Sequence, residues 1–241
     1  MSPILAEFLG TALLILLGNG VVANVVLTGT KGHGAGWIVI TAGWAMAVTV
    51  AVYAVGTISG GHLNPAVTVA LLAIGKIGGA TAGAYILAQM LGAVTGSILV
   101  YLAYLPHWRA TADPAAKLAV HCTGPAIRHT PGNLLTETIG TFVLVLGALA
   151  LPRPENLDAA TGFSTGFGPL LVGFIVFSIG LSLGGPTGYA INPARDLGPR
   201  LAHALLPIPG KGPADWGYAW IPVVGPLIGG VLGALTFQAL W

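Results

Sequence analysis

Two copies of one triplet, Asn64-Pro65-Ala66 and Asn192-Pro193-Ala194, each open an apolar segment too short to cross a bilayer. Residues 65–74 and 193–206 fall short of the roughly 20 residues that a spanning helix needs. Asn followed by Pro is a helix-start signal. The Asn side chain caps the first free N–H groups, and Pro fits the first helical position, where its missing N–H costs nothing. The same dipeptide also occurs in ordinary turns. Two copies, each in a long apolar context and each followed by a short helical stretch, instead predict two half-length helices. At membrane depth such ends are tolerated only where they are buried in protein or line a watery cavity. Paired broken helices in the two halves of a chain point to a permeation site between them.

The context is apolar throughout. Of 241 residues, 55% are hydrophobic and 7% charged, whereas soluble globular proteins carry about 25% charged residues. So few charges cannot cover a water-facing surface, and the sequence reads as an integral membrane protein with no soluble domain. The 37 glycines suit close helix packing in lipid. A scattered net charge of +2 argues against nucleic acid as a partner. The single cysteine, Cys122, excludes an internal disulfide. The N-terminus lacks a basic run and its first apolar segment is long enough to remain in the membrane, so no cleavable signal is expected.

Taken in order, the apolar stretches predict spans at Ile4–Val26, Trp37–Ile58, Ala80–Leu105, Leu134–Leu151, Pro169–Leu183 and Tyr218–Leu240. Trp37 reads as an interface residue. Pro106–Asn133 reads as the longest polar connection, and its His107, His121 and His129 as solvated residues. Pro152–Gly168 reads as a loop. Small residues recur four apart at Gly79 and Gly83, Gly92 and Gly96, and Gly225, Gly229 and Gly233, a spacing that lets helix backbones approach closely.

The chain also repeats itself. Ala6-Glu7-Phe8-Leu9-Gly10-Thr11 matches Thr136-Glu137-Thr138-Ile139-Gly140-Thr141, at nearly the offset that separates the two triplets. Two copies of one unit are expected, residues 1–130 and 131–241. Each has three spans and one half-helix, and an odd number of spans inverts the second copy. The expected fold is all-α, with six transmembrane helices and two half-helices in two inverted repeats. The half-helices then enter from opposite faces and meet tip to tip near the midplane. Loop charge does not orient the chain. With the N-terminus cytoplasmic, the inside loops hold Lys76 and Arg153, and the outside loops Lys31, Arg109, Lys117, Arg128 and Lys211, against the positive-inside expectation.

Two helix N-termini meeting this way place about half a positive charge each at the centre of a pore, a field that opposes cations and hydrated protons. Asn64 and Asn192 add side-chain donors there. The approach segments, Gly60-Gly61-His62-Leu63 and Gly188-Tyr189-Ala190-Ile191, hold carbonyls that helix bonding cannot all satisfy. Donors in the middle and acceptors on either side suit a neutral solute with hydroxyl groups. Arg195, one turn into the second half-helix, is a fixed cation with five donors. The alternative is an Arg reaching out to an interface. Asp196 is its neighbour in sequence, but adjacent residues do not share a helix face; steadying the loop is the expected role. Glu7 and Glu137 occupy matching places in the two units. Intramembrane acids suggest proton relay, but one acid per bent loop favours a structural role, accepting backbone N–H groups. His62 has no second ligand at metal spacing, and neither a metal nor a cofactor is expected. There is no H-E-x-x-H, no G-x-S-x-G and no Gly-rich phosphate loop, hence no enzyme signature.

With its two Asn-Pro-Ala triplets in inverted halves, nearly the whole chain resembles the aquaporin family. The run Gly60-Gly61-His62-Leu63-Asn64-Pro65-Ala66-Val67-Thr68 is similar to that family's first loop. Ala190-Ile191-Asn192-Pro193-Ala194-Arg195-Asp196-Leu197-Gly198-Pro199-Arg200 is similar to the second loop of its glycerol-conducting branch. The resemblance implies a passive channel for glycerol, water and like solutes, a homotetramer with one pore per subunit, and a place in the cell membrane with both termini cytoplasmic. It further implies a four-residue constriction at Trp44, Gly180, Tyr189 and Arg195. Gly180 then leaves room for a carbon backbone, Trp44 and Tyr189 form an apolar corner, and Arg195 bonds hydroxyls. Tyr189 departs from the Phe usual in glycerol channels. Rival readings are a channel used mainly for water or for another small solute (dihydroxyacetone, urea, protonated lactic acid), and a secondary transporter, since broken helices in inverted repeats occur there too.

Overall fold

The structure, a computed structural model, describes residues 1–153 and 163–241. The expected loop at 152–168 therefore lies partly outside the described residues. Those residues form helices and connecting turns, with no strand among them. In chain order the helices are α1 (Pro3–Val26), α2 (Trp37–Ser59), α3 (Pro65–Ala73), α4 (Gly79–Ala103), α5 (Leu105–Ala110), α6 (Pro114–His121), α7 (Thr130–Ala150), α8 (Phe163–Leu183), α9 (Pro193–Leu205) and α10 (Ile221–Leu240). Six of these, α1, α2, α4, α7, α8 and α10, are long and apolar enough to cross a membrane. The half-helices are α3 and α9.

Helix starts follow local chemistry. Pro stands in the first turn of α1, α3, α6, α7, α9 and α10, and side chains of Ser2, Asn64, Asp113, His129 and Asn192 accept a free N–H at the helix entry. Four expected boundaries are corrected. The fourth span begins at Thr130 rather than Leu134. The polar connection at 106–133 contains two short helices, α5 and α6. The fifth span begins before Pro169, which lies inside α8 rather than at its start. Tyr218 to Trp220 form turns ahead of α10.

The halves pack alike. α1 packs on α2 and α4, as α7 does on α8 and α10, and α2 against α8 joins the two sets. Each half-helix crosses over: α3 lies on α10 of the other half, and α9 on α4.

Glycine sets the closest approaches. A Cβ on Gly229 would stand 2.1 Å from the Thr138 carbonyl oxygen, and one on Gly92 2.3 Å from that of Phe8. Gly79 and Gly83, expected to serve the same end, face open space. Gly229→Ala should therefore cost about 1–3 kcal/mol, because rigid backbone must part. Gly83→Ala should leave stability unchanged or slightly raised, as expected for Ala over Gly inside a helix. Thermal unfolding of the two variants in detergent checks both.

Candidate functional site

The half-helices meet through their caps. Asn64 Oδ1 accepts the Ala66 N–H at 2.8 Å, and Asn192 Oδ1 accepts those of Ala194 and Arg195 at 3.0 and 3.3 Å. Each amide nitrogen then crosses to the opposite segment: Asn64 Nδ2 donates to the Ile191 carbonyl at 2.8 Å, and Asn192 Nδ2 to the Leu63 carbonyl at 2.9 Å. This reciprocal pair locks α3 and α9 N-terminus to N-terminus. An Asn amide carries two N–H donors, so one on each side chain remains beyond the crossed bond.

The segments leading into the caps are bent against their own preference. Leu63, Tyr189 and Ile191 have φ of 50°, 40° and 44°, a left-handed conformation that costs a bulky residue about 1–3 kcal/mol. The two buried acids hold them there. Glu7 Oε1 accepts the His62 N–H at 3.0 Å and the Ser59 hydroxyl at 2.6 Å, while Oε2 accepts the Leu63 N–H at 2.8 Å and the Gln89 amide at 2.7 Å. Glu137 accepts the N–H groups of Ala190 and Ile191 at 3.0 and 2.8 Å. Each acid thus satisfies two consecutive N–H groups that helix bonding cannot reach.

Both segments border a cavity of about 340 Å³. Its lining combines residues of the two bent segments, Gly60 to Asn64 and Tyr189 to Asn192, and Arg195, with apolar residues that include Val48, Val52, Leu144 and Val176. Two expected members stand elsewhere. Gly188 does not line the cavity; a Cβ there would face Thr123 at 3.3 Å. Gly180 does not line it either. A Cβ on Gly180 would meet Thr41 Cγ2 at 2.8 Å and Tyr189 Cζ at 2.9 Å, so the space that this glycine frees is taken by the Tyr189 ring. The carbonyls of Leu63 and Ile191 each already accept one bond, from the crossed Asn amides, and keep one further lone pair.

Arg195 stands over Trp44, with the guanidinium carbon 4.1 Å from the ring centroid. Its Nη1, the Trp44 indole nitrogen and the Tyr189 hydroxyl are buried without a partner among the described residues. Trp44 is backed by α1: a Cβ on Gly18 would lie 2.2 Å from its ring. His62 bonds Thr68 Oγ1 at 3.1 Å and packs edge-on against Tyr85. No group of three or more His, Cys, Asp or Glu among the described residues is placed to hold a metal.

Asp196 turns away from Arg195. Its carboxylate accepts from Arg200 Nε at 2.8 Å and Nη2 at 3.0 Å, and from the backbone N–H and hydroxyl of Thr123 at 2.8 and 2.7 Å. Arg200 in turn donates to the carbonyls of Thr123 and Ala214. The loop after α6 is thereby tied to α9. Arg195, Asp196, Arg200 and His203 are 7, 0, 0 and 0% exposed, which is how so polar a helix is accommodated among apolar spans.

His121 corrects the solvated-loop expectation. It is fully buried, its Nδ1 is 2.7 Å from Ser97 Oγ, and it stacks on Trp108 and lies against His203. Burial, then the nearby His203 and Lys211, lower its pKa to about 3, so it stays neutral at neutral pH. His107 and His129 do lie near the surface, bonded to the Thr28 carbonyl and the Gly132 N–H. Cys122 is buried, and burial raises its thiol pKa, leaving it an unreactive protonated thiol.

Six apolar helices, four of which (α1, α2, α7 and α8) line a cavity that runs past two half-helix tips, define a multi-pass membrane channel. Residues 1–237 match the model of the major intrinsic protein family, and the chain belongs to that family. It is 62% identical over 241 residues to the probable glycerol uptake facilitator protein of Thermotoga maritima, covering 100% of both chains. It is 55% identical over 239 residues to the glycerol uptake facilitator protein of Bacillus subtilis, covering 99% of this chain and 85% of that one. Among solved structures it is similar to the aquaglyceroporin from Plasmodium falciparum, with a TM-score of 0.86 and 31% identity over 98% of this chain and 95% of that one.

Proposed function

We propose that the chain is a passive channel for glycerol and similar small neutral solutes, that it also conducts water, and that it excludes ions and protons. The observation that carries this reading is the mixed lining of the cavity. The bent segments that end in Asn64 and Asn192 share it with aliphatic side chains, which suits a short polyol that carries both hydroxyls and CH groups. The relatives named as glycerol uptake facilitators support the same solute class.

The constriction is formed by Trp44, Tyr189 and Arg195, with Gly180 setting its width from behind Tyr189. Asn64 and Asn192, held by Pro65-Ala66 and Pro193-Ala194, are the midpoint contacts. Two facing helix N-termini add about half a positive charge each, and Arg195 adds a whole one, so cations meet a barrier with no acidic partner at the cavity wall among the described residues. Residues 1–130 and 131–241 form two inverted repeats. The N- and C-termini are cytoplasmic, the α5–α6 side is external, the membrane is the cell membrane, and the working form is a homotetramer. Several of the external cations are engaged locally. Lys117 Nζ donates to the Pro209 carbonyl, Lys211 Nζ to three carbonyls at the end of α9, and Arg128 pairs with Asp215. Catalysis has no place in this reading, since the buried acids are committed to backbone N–H groups.

Stopped-flow light scattering on proteoliposomes tests the proposal with water, glycerol, urea and dihydroxyacetone. Glycerol flux linear in its gradient, with a low activation energy and indifferent to proton or sodium gradients, is expected; steep saturation with ion coupling would mark a transporter instead. Arg195→Val should raise proton leak about tenfold, as removal of roughly 1.4 kcal/mol of barrier implies. An unchanged leak would take Arg195 out of the constriction.

A further inference from the structure

Tyr189 is a residue under tension. Its backbone is left-handed, at φ 40°, and its hydroxyl has no partner among the described residues. Neither its own conformation nor a polar anchor therefore fixes the ring. What holds it is packing. One side lies on the end of α8, where a Cβ at Gly180 would come within 2.9 Å of Tyr189 Cζ and a Cβ at Gly184, just past the helix, within 2.5 Å of Cδ1. Another side meets the indole of Trp37, edge to face, with ring centroids 5.7 Å apart and planes at 82°. Trp37 is itself pinned: its Nε1 donates to the Gly180 carbonyl at 2.9 Å, joining the first turn of α2 to α8 at the glycine against which Tyr189 rests. A Cβ on Gly184 would also lie 2.8 Å from Trp37 Cζ2, so the indole and the phenol share one glycine-floored slot.

We propose that Trp37 is a positioning residue for solute size. It does not line the cavity. It acts through Tyr189, closing the slot into which that ring would otherwise withdraw, and so sets the aperture between Tyr189 and Arg195. The indole N–H fixes the wedge, and the edge-to-face contact, the favoured geometry for an aromatic pair, passes the constraint to Tyr189. This inference rests on the reading of Tyr189 as part of the constriction.

The test compares a graded polyol series, glycerol against the four-carbon erythritol, together with water, in proteoliposomes. Trp37→Ala should raise the erythritol-to-glycerol flux ratio severalfold while water flux changes little. Trp37→Phe, which keeps a ring edge without the N–H, should return the ratio part of the way. Where Trp37→Ala does not reconstitute, Trp37→Leu carries the same expectation. Tyr189→Ala serves as the control. If Tyr189→Ala shifts the ratio and the Trp37 variants do not, the positioning role is overturned and the constriction stands. If neither shifts it, Tyr189 is outside the constriction and the inference falls with that reading. A parallel fall of all fluxes in the Trp37 variants would show mere loss of folded protein and also overturn it.

Discussion

Asp196→Ala is expected to destabilise the folded channel by about 3–5 kcal/mol, the usual consequence of removing one partner of a buried ion pair. The reason lies in what remains. Arg200 is 0% exposed and keeps its charge under all ordinary conditions. Its Nε would lose its acceptor, and Nη2 one of two, leaving the carbonyls of Thr123, Ala214 and Asp215 to solvate a full cation. Thr123 would lose the acceptor of both its N–H and its hydroxyl. Intrinsic tryptophan fluorescence during heating in detergent should show a fall of about 10 °C or more in unfolding midpoint, taking the scaling for chains of this size. Removing both charges in Asp196→Ala/Arg200→Met should cost less than Asp196→Ala alone, since no unpaired charge then stays behind. A single variant as stable as the parent, or a double variant worse than the sum of its parts, would show that the pair does not bear on folding. Because Arg195 precedes Asp196 on α9, the single variant should also lose solute selectivity before it loses its fold.

That network shows where reading the sequence stops. The two Asn-Pro-Ala triplets are legible because capping is local: Asn64 and Asn192 bond N–H groups two or three residues ahead, and an apolar run of given length has few alternatives in a bilayer. Glu7 and Glu137 are legible through their repetition, and each is found bonding the segment that its position suggests. Contacts between distant residues are not written in any short window. Trp37 carries the mark of an interface residue, and nothing near it announces a bond to a carbonyl 143 residues away. His121 sits in a polar stretch that reads as loop, yet α6 folds inward and stacks it on Trp108 and against His203. The spacing of Gly79 and Gly83 is identical to that of Gly225 and Gly229, but only the second pair faces a neighbouring backbone. Pro169 looks like a helix start and lies within α8, because Pro is tolerated inside membrane helices, where neighbours re-satisfy the freed backbone group. Periodicity gives the candidate face; which face finds a partner is decided by packing across the whole chain.

Gly180→His is expected to reduce glycerol flux about tenfold or more relative to water flux, within the range by which a change of one or a few heavy atoms in a fitted pocket discriminates. The route is indirect. Thr41 Cγ2 at 2.8 Å and Tyr189 Cζ at 2.9 Å occupy the place that the first new side-chain atom would need. Thr41 is fully buried on α2, so Tyr189, which borders the cavity, is the neighbour with somewhere to go. The imidazole would push that ring toward Arg195 and narrow the gap from the side. Water, being smaller than a polyol, should still pass. Two comparisons isolate this path. Gly180→Ala, with one added carbon, should show the same bias in smaller measure. Gly180→His combined with Tyr189→Ala should recover glycerol flux, because the displaced ring is gone and the histidine can turn into its place; additive losses would mean that the two sites act independently. Equal reduction of water and glycerol in Gly180→His would mean that the glycine serves helix packing alone, and that aperture is set elsewhere on the cavity wall. Recovery in the double variant would instead establish that the width available to a solute is governed by a residue that the solute never touches.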